Sequence, residues 1–184
     1  MHMARKTKEA LEREHIAASI ARDLPPDGGG YSLSSATAVP LKRSLRGVWG
    51  VVSHDVGGEP FIDRVATRSL KGIELQDIEY RAEYDFKEAI CVKRVDIDGR
   101  ADLPEGSATY RFRQRLALSW DLEGPERLRV RPELGYQYTT LDEVPAPVKE
   151  MESTGDDLVI VFRLEGDELV LEEGEDMKRL RRLA

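Results

Sequence analysis

Two stretches of this chain alternate apolar and polar side chains with a period of two, and that pattern restricts the fold more than any other feature. In the first, Ile78, Tyr80, Ala82, Tyr84 and Phe86 are separated by Glu79, Arg81, Glu83 and Asp85. In the second, Tyr110, Phe112, Gln114, Leu116, Leu118 and Trp120 are interleaved with Arg111, Arg113 and Arg115 on its N-terminal side. Successive side chains of a strand point to opposite faces, so each stretch is expected to be a strand with one buried and one wetted face.

Shorter runs repeat the signal. Leu128 and Val130 alternate with Arg127, Arg129 and Arg131, and Tyr136 to Leu141 reads as a further strand. Leu158 to Leu164, the turn Glu165-Gly166-Asp167 and the return Leu169 to Leu171 form a hairpin pattern. Weaker strand signals lie at Val48 to Ser53, Arg64 to Leu70, Ile90 to Ile97 and Met177 to Leu183, with turns expected at Gly57-Gly58, Asp98-Gly99, Glu123-Gly124-Pro125 and Gly166. Roughly eight to ten strands at this spacing make the chain mainly β, an antiparallel up-and-down barrel or a sandwich. The intervening segments are too short and too rich in Gly and Pro for crossover helices, which excludes a parallel α/β sheet.

The N-terminal part follows another rule. Ala4 to Leu24 contains helix formers without Gly or Pro, and Leu11, Ile16, Ala17, Ile20, Ala21 and Leu24 give it a broad apolar face. Pro25-Pro26-Asp27-Gly28-Gly29-Gly30 ends this predicted helix, and Tyr31 to Pro40 reads as linker. The expected division is therefore a helical arm and flexible linker over residues 1–40, and a β-barrel over 41–184.

Composition narrows the setting. The chain has 184 residues, of which 40% are hydrophobic, enough for one domain with its own core. Cys91 is its one cysteine, so no intrachain disulfide can form, which suits a reducing compartment. No apolar stretch reaches the length of an export signal or a membrane span, so a cytoplasmic location is expected. A net charge of −7, with 34% charged residues of both signs, gives no global attraction to nucleic acid. The basic run Lys178-Arg179-Leu180-Arg181-Arg182 reads first as a solvated strand.

Two short motifs at opposite ends of the β region are similar to the terminal signatures of lipocalin-like domains of the calycin superfamily. Leu45-Arg46-Gly47-Val48-Trp49-Gly50, followed by Gly57-Gly58-Glu59-Pro60, resembles the Gly-x-Trp opening strand and its turn. Gly166 to Leu171, running through Gly174 to Leu180-Arg181-Arg182, resembles the closing hairpin that ends in a basic residue. The resemblance implies that Trp49 lies across the closed end of the barrel, with Arg181 or Arg182 packed on it as a cation–π partner. It also implies a site for a small ligand in the barrel mouth, although the N-terminal arm and the lack of an export signal depart from the secreted carriers.

Residues that could carry chemistry are scattered. His2, His15 and His54 are far apart and Cys91 has no neighbouring thiol or imidazole, so no metal spacing is present. Asp96-Ile97-Asp98-Gly99-Arg100-Ala101-Asp102 lacks the glycine position and terminal glutamate of a calcium loop and reads as a turn. No nucleophile elbow or phosphate-binding glycine loop occurs. Glu79, Glu83 and Asp85 are expected to face Arg111, Arg113 and Arg115 in a cross-strand ladder of opposite charges. No cofactor and no catalytic group are expected.

The aromatic set remains. Tyr80, Tyr84, Tyr110, Phe112 and Trp120 would either line a ligand cavity or fill the barrel, and barrels of about eight strands do both. The leading expectation is a binding module for a small, mainly apolar ligand, lined by these five residues. The alternative is a non-enzymatic assembly protein with a filled barrel, docking a partner or a second copy through residues 4–24.

Overall fold

A computed structural model describes residues 35–68, 74–142, 144–145, 149–152 and 156–183. The helix expected over Ala4 to Leu24 lies outside them. The first described element is helix α1, Ser35–Leu45, which begins inside the segment read as linker. Its C-terminal end is fixed by tertiary contacts that local composition does not reveal. Leu45 is wholly buried, and the Arg182 guanidinium donates to the carbonyl oxygens of Ser44 and Arg46 at the end of the helix, where backbone acceptors lack intrahelical donors.

The strands follow: β1 (Gly47–Val56), β2 (Glu59–Pro60), β3 (Leu75–Phe86), β4 (Ile90–Leu103), β5 (Gly106–Gly124), β6 (Arg127–Leu141), β7 (Val144–Pro145), β8 (Lys149–Glu152), β9 (Leu158–Glu165), β10 (Glu168–Glu173) and β11 (Asp176–Arg182). Eight of them, β1, β3, β4, β5, β6, β9, β10 and β11, form an antiparallel ring in chain order. Pairing of β11 with β1, from Trp49 opposite Arg182 to Val56 opposite Asp176, closes it. The barrel is thus up-and-down and closed, an arrangement that leaves the ring no free edge. The short β2 pairs with β1, while β7 and β8 pair with β6.

Two expectations are corrected. Arg64 to Arg68 is part of helix α2 (Phe61–Arg68), not a strand. Phe61 and Val65, four residues apart, share the face of α2 that packs inward, a spacing that suits a helix. Asp98-Gly99 lies within β4 instead of turning the chain, and the turn falls at Pro104-Glu105. The glycine serves close approach: a Cβ at Gly99 would stand 3.2 Å from the Gln76 carbonyl oxygen, opposite an irregularity in β3.

The alternating strands turn their apolar faces inward, as their period requires. Their charged faces lie outside, but β4 stands between β3 and β5, so the expected ladder is split in two. Glu83 and Asp85 pair with Arg94, and Arg113 and Arg115 pair with Asp98 and Asp96. The exposed pairs among these contribute about 0–1 kcal/mol each, whereas Arg115 is buried on the outer side of the sheet.

One end of the barrel is packed solid. Trp49, Phe86, Leu118, Trp120, Leu128, Phe162, Leu169 and Leu180 belong to a single buried cluster there. Trp49 is fully buried, its Nε1 donates to the Leu45 carbonyl oxygen at 2.7 Å, and the Arg182 guanidinium carbon lies 4.2 Å from its ring centroid. Arg181, on the opposite face of β11, pairs instead with Glu168. Gly47 has φ +118°, and a Cβ there would approach Arg182 Nη1 to 2.8 Å. The Gly-x-Trp sequence thus acquires a physical reason at both positions.

Candidate functional site

Above this plug the barrel holds a cavity of about 390 Å³. Its apolar wall is made by Phe61 and Val65 of α2, Val95 and Ile97 of β4, and Tyr110 and Phe112 of β5. The polar side is made by His54, Tyr80, Lys93, Gln114, Asp176 and Lys178. Pairing explains how β4 and β5 supply both characters: Val95 lies opposite Gln114, and Ile97 opposite Phe112, on one inward face.

His54 reaches the interior through an irregularity. Trp49 and Val51 point inward on β1, and strict alternation would send His54 out. The β1–β11 register shifts between Val51 and Ser53, placing His54 opposite Lys178 on the inner face. There the imidazole stacks on Phe61, with centroids 4.2 Å apart. Its Nε2 lies 2.7 Å from Asp176 Oδ1, and its Nδ1 lies 3.0 Å from the Tyr80 hydroxyl. A carboxylate accepts only, so in the neutral ring Nε2–H donates to Asp176 and Nδ1 accepts from Tyr80.

Lys178 donates to the other oxygen of Asp176. Burial acts to raise the Asp176 carboxyl, but the hydrogen bonds from His54 and Lys178 prevail and hold it at about 2. Burial, reinforced by the Asp176 charge, pushes the Tyr80 phenol upward, so its hydroxyl keeps its proton. Lys93 enters the same cavity from β4 and stands over the Tyr84 ring, 5.8 Å from its centroid. Burial first, and then the Lys178 charge, pushes the Lys93 ammonium down from its ordinary range.

Of the five aromatic residues expected to line a ligand, Tyr80, Tyr110 and Phe112 border the cavity. Tyr84 and Trp120 do not. Both belong to the packed end, where Trp120 meets Phe86 edge-on and donates from Nε1 to the Lys87 carbonyl oxygen at 3.1 Å. Alternation assigns a face but not a height along the barrel axis. His54, Lys93, Asp176 and Lys178 went unrecognised from sequence. Lys178 was hidden in a basic run whose members alternate: Lys178 and Leu180 are buried, whereas Arg179 and Arg181 are exposed.

The arrangement offers a ligand an apolar wall, an ammonium group and a hydrogen-bonded triad. Cys91 lies in the packed end, where burial pushes its thiol up and keeps it protonated, so it offers no nucleophile to the cavity. Among the described residues, no group of three or more His, Cys, Asp and Glu could hold a metal ion, and no helix is long and apolar enough to cross a membrane. No protein family, no curated protein and no solved structure matches the chain.

Proposed function

We propose that the protein is a small-molecule-binding barrel of the lipocalin-like type, holding a mainly apolar ligand at the end of the ring opposite Trp49. The observation that carries this reading is the contrast within one closed ring between a solid plug and a cavity of about 390 Å³. That volume falls within the roughly 300–1,000 Å³ of small-molecule sites, and an apolar wall facing convergent polar groups suits such a site. Arg182 stacked on Trp49 supports the lipocalin-like assignment. Phe61, Tyr110 and Phe112 supply apolar contact area, and Tyr80 carries a polar tip.

Titration with the neutral fluorophore N-phenyl-1-naphthylamine tests the reading. Saturable binding to the native protein is expected, weakened at least about tenfold by Val95→Phe, which adds volume within the cavity wall. The thermal midpoint of the variant, measured alongside, reports whether it is folded. Absence of saturable binding, or equal affinity in a folded Val95→Phe protein, would overturn it.

A further inference from the structure

The cavity is lined by two lysine ammonium groups and one carboxylate. Asp176 spends one oxygen on His54 and the other on Lys178. Lys93 lines the same space from the neighbouring wall, and among the described residues no carboxylate forms an ion pair with it. Glu173 and Asp176 act on Lys93 only as more distant charges, while Lys178 opposes its ionisation. An ammonium taken from water without a counter-ion is costly, and an anion arriving beside it removes that cost. The Tyr80 hydroxyl is already engaged with His54, 3.0 Å from its Nδ1.

Resting on the small-molecule reading above, the geometry points to an amphipathic monoanion as the ligand: a carboxylate that meets Lys93 and Lys178, on an apolar body that lies against Phe61, Ile97 and Phe112. One spare positive charge selects a single negative one, since a second would lie beside Asp176. The apolar wall requires more than a bare anion. A neutral ligand of the same length would leave Lys93 as it is. The two directions of shift agree with this division of labour, since Lys93 is pushed down while Asp176 stays ionised.

The test compares decanoate, 1-decanol, decylamine and acetate as competitors of N-phenyl-1-naphthylamine on the full chain, in the native protein and in Lys93→Met. Decanoate is expected to compete at least about tenfold more tightly than 1-decanol, with decylamine weakest and acetate without effect. Lys93→Met is expected to abolish most of the preference for decanoate over the alcohol, each competitor's affinity being referred to the fluorophore affinity measured in the same variant. In the native protein, carboxyl-¹³C decanoate is expected to stay ionised on binding and to titrate below its free value. Equal competition by decanoate and decanol, retention of the preference in Lys93→Met, or competition by acetate alone would overturn the anion assignment while fluorophore binding upholds the cavity. Failure of fluorophore and decanoate together would overturn both readings.

Discussion

The two ends of the barrel are built from the same strands and differ in what they enclose. On β4, Cys91 sits in the packed cluster, Lys93 lies farther along, and Val95 and Ile97 form the cavity wall. On β11, Leu180 and Arg182 serve the packed end, while Asp176 and Lys178 serve the cavity. At the packed end large apolar side chains meet across the ring and fill it. At the other end Ala82 and Ala101 are small, and charged groups replace apolar ones without being able to pack as densely. Dense packing of large side chains is thus concentrated at one end and open space at the other, within a single sheet.

Substitutions can break that contrast. The largest loss is expected from Trp49→Ala, about 3–5 kcal/mol in urea unfolding, because it removes a fully buried ring together with its Arg182 contact. Phe112→Ala, on the cavity wall, is expected to cost clearly less. Equal losses for the two would remove the distinction between the ends.

Gly47→Ala is expected to cost about 1–3 kcal/mol, because it puts a Cβ into a positive-φ position already occupied on that side by Arg182. Arg182→Met should cost about 1–2 kcal/mol through its ring contact and two carbonyl bonds. Arg181→Met, with an exposed partner, should stay within about 0.5 kcal/mol. Unfolding curves for the arginine pair sharpen the comparison directly, and a reversed order would contradict the closed-end geometry.

A pH dependence is expected from the open end. The Asp176 carboxyl, near 3.8 when free, lies at about 2 in the folded protein. A depressed carboxyl contributes stability that is fully present above its unfolded value and is lost as pH falls through the folded one. Unfolding midpoints measured from pH 5 to pH 2 are therefore expected to fall less steeply in Asp176→Asn, after allowance for its lower starting stability. Parallel curves would mean that the His54–Asp176–Lys178 network does not hold that proton equilibrium.

The sequence was informative where local pattern and tertiary structure agree. β3 and β5 follow directly from Tyr80, Ala82, Tyr84 and Phe86, and from Tyr110, Phe112, Leu118 and Trp120, whose inward face is the observed one. Trp49 and the terminal arginines were visible through resemblance, but choosing Arg182 over Arg181 required the register against β1. The site was largely hidden for three reasons. A register shift reversed the phase at His54, Lys178 shared a basic run with outward-facing arginines, and Lys93 occupied an inward position that composition assigns to solvent. The charge ladder failed because alternation says nothing about which strand becomes a neighbour.

Pairing of β11 with β1 has a kinetic consequence. These ring neighbours are far apart along the chain, with His54 and Asp176 separated by 122 positions, so their meeting requires the largest loop closure in the ring. The encounter that joins them brings Arg182 onto Trp49 and delivers Asp176 and Lys178 to His54 in the same event. Competence to bind and completion of folding should accordingly emerge together during refolding, so that a bound fluorophore times the final step.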